Sequence, residues 1–218
     1  MRKEQVTKLK RRFFQRPTTL VAKELLGKVI VRRVGRKLIR GRIVETEAYC
    51  GEEDLACHAR VGRTKRNAVM YGRAGHAYIY LCYGIHELLN IVTREKDCPE
   101  AVLIRGIVEG APCLRQAPKL GALQKRCTFC GASRLSRSIL PRRSRLFRLG
   151  PGKLTKYLKI TRKLNGEDLA KSKKLWVEDE GFVVKKSQIK SAERIGVSYA
   201  GKWIKKKWRY FLNEKFKT

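Results

Sequence analysis

The chain has 218 residues, with 52 Lys+Arg against 19 Asp+Glu, a formal net charge of +33 and a pI near 10.4. Its 43% hydrophobic content is enough for a core, which argues against wholesale disorder, and no apolar run reaches the roughly 18 residues needed to span a bilayer. So basic a balance points to a polyanionic partner, nucleic acid first and an anionic membrane surface as the rival.

Residues 1–16 read as a basic arm with little periodicity. No apolar stretch follows Met1-Arg2-Lys3-Glu4-Gln5, so the expectation is no secretory signal and a cytoplasmic or nucleoid location. Pro17-Thr18-Thr19 opens a helix over Leu20–Leu26, and Gly27 stands where a C-terminal cap glycine belongs. Lys28–Val34 and Leu38–Ala48 read as strands around a Gly35-Arg36-Lys37 turn. Residues 50–75 read as a long loop. In His76–Cys82, Tyr78, Tyr80 and Cys82 share one face and Ile79 and Leu81 the other, as in a half-buried strand. Tyr83-Gly84 breaks it and Leu88–Thr93 returns beside it, giving a hairpin with an aromatic near its tip. Ala101–Arg105 is a further strand, Gly152–Ile160 a basic helix, and Leu175–Val177 and Trp208–Leu212 short strands.

Residues 110–166 hold no Asp or Glu and 15 Lys and Arg. The inner part, 112–149, reads as a basic, cysteine-containing surface insertion, as an arm that tracks phosphates, or as a local frame error. The length suits one domain, 1–218. With no heptad or long apolar edge, a monomer is expected.

Against this basic background, five of the 19 acidic residues fall within ten positions: Glu45, Glu47, Glu52, Glu53 and Asp54. On a strand, Glu45, Glu47 and Tyr49 share a face. Taken alone they read as a solvated edge. Tyr49, His58, Tyr78, Tyr80 and Tyr83 lie close by in sequence, and tyrosines beside a carboxylate in so basic a chain also fit a base-stacking pocket.

Five segments carry a resemblance. They are Arg42-Ile43-Val44-Glu45-Thr46-Glu47-Ala48-Tyr49 with His58 nine residues on, Tyr78-Ile79-Tyr80-Leu81-Cys82-Tyr83-Gly84 with Asn90, Val102-Leu103-Ile104-Arg105, Gly150-Pro151-Gly152-Lys153-Leu154, and Arg194-Ile195-Gly196-Val197. In this order and spacing they resemble the alkyladenine (3-methyladenine) DNA glycosylase family. The resemblance implies a mixed α/β (α+β) domain with a curved antiparallel sheet and a protruding hairpin that enters the DNA minor groove. It also implies hydrolysis of the N-glycosidic bond of a damaged purine in double-stranded DNA, with no cofactor and no metal.

Carried over residue by residue, Glu47 is the general base and Arg105 keeps it ionised and helps hold the attacking water. The backbone carbonyl of Ile195 is a further ligand of that water. Tyr49, His58, Tyr80 and Asn90 form the base pocket, with Asn90 disfavouring the guanine 2-amino group. Tyr83 is the intercalating wedge, and Arg63 and Lys153 contact phosphates unless they are plain solvated charges. The chain departs from the family pattern at Ile85 and His86 beside the wedge, in a short 60–67 loop, and in the 112–149 stretch.

Seven cysteines are scattered through the chain and read mainly as free thiols. Cys127 and Cys130 form a C-x-x-C that is either half of a zinc knuckle, completed by Cys98 and Cys113, or two reduced thiols. Two rival functions remain. A non-enzymatic nucleic-acid binder explains the charge but not Glu47 and Arg105 among tyrosines. A zinc deaminase needs H-x-E and P-C-x-x-C, and neither is present.

Overall fold

The computed structural model describes residues 6–109 and 147–212. Among these residues ten strands join in one open sheet, and every pairing among them is antiparallel. In chain order they are β1 (Thr7–Lys8), β2 (Val29–Val34), β3 (Lys37–Cys50), β4 (Ala77–Cys82), β5 (His86–Thr93), β6 (Glu100–Glu109), β7 (Phe147–Leu149), β8 (Leu175–Asp179), β9 (Ile189–Ala192) and β10 (Arg209–Leu212). The helices are α1 (Arg11–Phe14), α2 (Thr18–Glu24) and α3 (Pro151–Leu158), with short 3-10 turns between elements. The mixed α/β class expected from sequence is what the chain forms.

The main path through the sheet runs β1-β8-β2-β3-β6-β5-β4, with β10 paired to β3 and β9, and β7 to β6. The 14-residue β3 organises the rest. Its first half pairs with β2 and its second half with β10, while β6 follows it on the other side. The register against β6 slips between Ile43 and Glu45 and again between Glu45 and Thr46. Such irregularities bend a strand and re-aim its side chains. Here they fall where the neighbour changes, immediately before Glu47.

Alternation along the strands divides the apolar residues between two faces. Ile43, Ile79, Leu89, Ile91, Ile104 and Ile107 pack with Val21, Ala22 and Leu25 of α2 and Leu154 and Leu158 of α3 into the main core. On the opposite face Tyr78 and Val92 join Cys57, Met70 and Tyr71, with Tyr49 and Tyr80 against them. Gly27, at φ +85°, turns the chain after α2 and donates its N–H to the carbonyl of Ile43 at 2.8 Å. A side chain there would meet Val184 and Phe182.

Several elements differ from the sequence reading. Residues 1–16 were expected to form an arm, yet the described part is built into the fold. β1 pairs with β8, Phe14 is fully buried, and Arg11 reaches Asp168 at 2.5 Å. A four-residue helix and a two-residue strand are too short for any periodicity to register. The 50–75 loop contains 3-10 turns at His58–Val61 and Ala68–Tyr71. Helix α3 begins at Pro151, where the fixed φ of proline suits a first helical position. Cys113, Cys127 and Cys130, with most of the 112–149 stretch, lie outside the described residues. Within those described, Cys50, Cys57, Cys82 and Cys98 are free thiols, and no group of three or more His, Cys, Asp or Glu could hold a metal.

Candidate active site

Glu47 is fully buried. Its carboxylate accepts the Tyr49 hydroxyl at 2.8 Å and the Ile195 backbone N–H at 2.9 Å. The Arg105 guanidinium stands 3.5 Å away and also contacts Glu45 at 3.3 Å. Burial raises the pKa of Glu47 above the ordinary carboxylate value, against the opposing pull of Arg105, the Ile195 N–H and the Tyr49 hydroxyl. Tyr49 is pushed well up by burial and by the adjacent carboxylate, so its hydroxyl stays protonated and able to donate.

Above this carboxylate lies a cavity of about 460 Å³. Tyr49, His58, Tyr80 and Asn90 line it together, as do Tyr78, Tyr83, Arg105 and Ile195. Residues far apart in sequence are thus brought to one place. Glu47 sits one layer behind the lining and is reached through Tyr49, Arg105 and Ile195, all of which face the cavity. Of Ile195, it is the amide that meets the carboxylate directly.

The rings have a defined arrangement. His58 accepts or donates through Nδ1 to the buried Tyr78 hydroxyl at 2.9 Å. Burial and the nearby Arg66 and Arg60 lower its pKa to about 4, so it is neutral at physiological pH. Its ring meets Tyr80 edge-on, with centroids 4.4 Å apart. The two rings are thus in contact, with no slot open between them. The Asn90 amide is turned to the Tyr78 carbonyl at 3.3 Å.

Tyr83 lies in the β4–β5 turn and is 89% exposed. The Ile85 N–H bonds the Cys82 carbonyl at 3.1 Å, and both Tyr83 (φ 50°) and Gly84 (φ 70°) are left-handed. Two such central residues define the tight hairpin turn that matches strand twist. A tyrosine in this region is strained relative to glycine or asparagine. Ile85 beside it is also exposed. Arg63 and Lys153 are exposed and neither lines the cavity. Arg63 lies 5.6 Å from the Tyr71 ring centre, and Lys153 sits in the first turn of α3.

Sequence reasoning missed a buried pair under the site. Arg194 and Asp54, both with fully buried side chains, form a two-pronged ion pair at 2.5 and 2.8 Å. Arg194 also donates to the Ala48 carbonyl at 3.0 Å and lies 4.9 Å from the Tyr49 ring centre. It thereby fixes the back of Tyr49 and the segment that supplies the Ile195 N–H. Asp54 was visible as part of the acidic cluster and Arg194 as part of a motif. Nothing in the sequence paired them.

Residues 12–216 match the family described as methylpurine-DNA glycosylase. A protein of Methanocella arvoryzae is 44% identical over 203 residues, covering 93% of this chain and 91% of its own. One from Bdellovibrio bacteriovorus is 42% identical over 208 residues (94% and 95%), and one from Natranaerobius thermophilus 38% over 208 residues (95% and 96%). All three carry the name "Putative 3-methyladenine DNA glycosylase".

Proposed function

The chain belongs to the methylpurine-DNA glycosylase family and is a DNA glycosylase, and on that premise we propose that it excises alkylated and deaminated purines from duplex DNA, with Glu47 as the base that arms the attacking water. The observation that carries this reading is one fully buried carboxylate, paired to Arg105, behind an aromatic-lined cavity in a chain of charge +33. We take 1–218 as one domain acting as a monomer. Among the described residues no helix is long and apolar enough to cross a membrane.

A base inside a duplex cannot reach a buried cavity, so the damaged nucleotide must be extruded. The β4–β5 hairpin would enter the minor groove and Tyr83 would fill the vacated stack, offsetting part of an unstacking cost of a few kcal/mol. The flipped base would stack against Tyr49 and His58 on one side and Tyr80 on the other, which requires His58 and Tyr80 to part. Cationic bases such as 3-methyladenine and 7-methylguanine gain extra attraction to aromatic faces. Neutral lesions such as hypoxanthine and ethenoadenine would rely on shape and stacking. Asn90, on the cavity wall, would disfavour the guanine 2-amino group.

Water bound among Glu47, Arg105 and the Ile195 backbone then attacks C1′ of the sugar. Its proton passes to Glu47 as the N-glycosidic bond breaks, and the bonding pair leaves with the base. The negative charge also stabilises the oxocarbenium-like transition state, as in glycoside hydrolysis. The product is an abasic site in an uncut strand. Arg63 and Lys153 would hold phosphates on either side of the flipped nucleotide.

The direct test uses a duplex with one hypoxanthine or ethenoadenine, incubated with protein and then hot alkali. Scission at the lesion is expected. Retained DNA binding without scission would remove the enzymatic reading. Tyr83→Ala should weaken binding to the lesion duplex by about 1–3 kcal/mol, the worth of one aromatic stack, and more than binding to undamaged duplex, as read by titration of both.

Glu47 must be ionised to act, and burial raises its pKa. Excision should therefore fall, as pH drops, at a higher pH than an ordinary carboxylate would give. The Tyr49 hydroxyl opposes that shift. Tyr49→Phe should consequently move the acidic limb of the single-turnover rate further up, and an unmoved limb would deny this contact any influence on the base.

A further inference from the structure

Glu47 is not the only carboxylate that Arg105 serves. Its Nε lies 3.3 Å from Glu45 Oε1 and 3.5 Å from Glu47 Oε1. Arg209 of β10 also meets Glu45 Oε1, at 3.1 Å, and its Nε donates to the Glu193 carbonyl at 2.8 Å. Arg209 sits directly across from Glu47 in the β3–β10 register. Glu193 lies two residues before Ile195, whose N–H bonds Glu47. Two carboxylates and two guanidinium groups thus alternate in a chain, Arg209–Glu45–Arg105–Glu47, and the end of that chain at Arg209 also grips the segment that donates to its other end. All four side chains are largely withdrawn from solvent, from fully buried Glu47 to Arg209 at 23% exposed.

We infer that Glu45 and Arg209 are positioning residues for excision: Arg209 fixes Glu45 and the 193–195 segment, and Glu45 in turn holds Arg105 at the set distance from Glu47. This rests on the reading of Glu47 as base. An Arg105 freed from Glu45 would close fully on Glu47 and make it a weaker acceptor for a water proton. Sharing Arg105 between two acids keeps the base ionised yet reactive. The groups facing Glu47 are Glu45 and Tyr49 on its own strand, Arg105 on β6, Arg209 across on β10 and the Ile195 amide. Arg194, held by Asp54, and Tyr80 act from around Tyr49. The negative charge of Glu45 raises the Glu47 pKa in this set.

The test is the pH profile of single-turnover excision on a hypoxanthine duplex with enzyme in excess. Glu45→Gln should shift the acidic limb to lower pH by about one unit, the usual size for a neighbouring charge, and reduce the plateau rate. Arg209→Gln removes one positive charge from the set and leaves Glu45 to Arg105 alone, and should shift the limb the other way. The double variant removes both charges and should return the limb towards the parent position, an outcome that loss of packing alone would not give. Thermal melts confirm that each variant is folded. Should Glu45→Gln fail to fold, the direction of the shift in Arg209→Gln decides the matter: upward supports the inference, and none or downward overturns it. Limbs that stay at the parent position, or single variants that shift in the same direction, overturn the inference. Glu47→Gln in the same assay separates the two readings: if it excises normally the base assignment falls, and if it is inactive while the limbs stay put only the positioning role falls.

Discussion

Glu47→Gln is expected to lower single-turnover excision of hypoxanthine by about 10²–10⁴-fold, the usual contribution of a positioned general base, while binding of the lesion duplex stays near the parent level. The amide matches the carboxylate in shape and can still accept the Ile195 N–H, so the cavity should persist. It cannot take a proton from water. The same change should leave thermal stability unharmed or improved. The folded-state pKa of Glu47 is raised, so the folded protein holds this proton more tightly than the unfolded chain does. The stability from that proton is present at low pH and lost as pH rises through the folded-state value. At neutral pH an ionised Glu47 is therefore a burden on the fold, one that glutamine relieves. Lower activity together with an equal or higher melting temperature is the signature of a residue kept for chemistry. A drop in both would mark Glu47 as structural.

Asp54→Ala has the opposite character. It leaves the Arg194 guanidinium buried without its carboxylate, and breaking such a pair from one side typically costs about 3–5 kcal/mol. For a chain of this length that corresponds to a melting temperature lower by about 6–20 °C. The loss should reach the site as well, because Arg194 backs Tyr49 and precedes Ile195. A melting curve indistinguishable from the parent would show that the pair is not the anchor its burial indicates.

The sequence made some parts of this site readable through simple periodicity. Strand alternation placed Tyr78 and Tyr80 on one face and Ile79 on the other, and the structure puts them in separate apolar clusters. It likewise put Glu45, Glu47 and Tyr49 on one side of a strand, where Arg105 now touches both acids. The five ordered motifs named residues that line one cavity. Long-range pairing was beyond reach. Asp54 and Arg194 stand 140 positions apart, and Arg209 lies in a basic tail where nothing separates it from its neighbours. The register slip in β3 just before Glu47 left no trace in composition. Nor could spacing reveal that His58 and Tyr80 touch, since ring contact depends on rotamers rather than on the order of residues. Short elements such as α1 were hidden for a related reason: four residues carry too few apolar positions to show a period, and only the burial of Phe14 reveals the packing.

A crystal structure of the Glu47→Gln protein bound to a hypoxanthine duplex interrogates the base assignment most directly. The lesion should lie everted in the cavity against Tyr49 and Tyr80, with Tyr83 in the vacated stack. One water should sit within hydrogen-bonding distance of residue 47, on the far side of C1′ from the base. A lesion still stacked in the helix, or an everted one whose C1′ faces away from residue 47 with no water between them, would contradict the role given to Glu47.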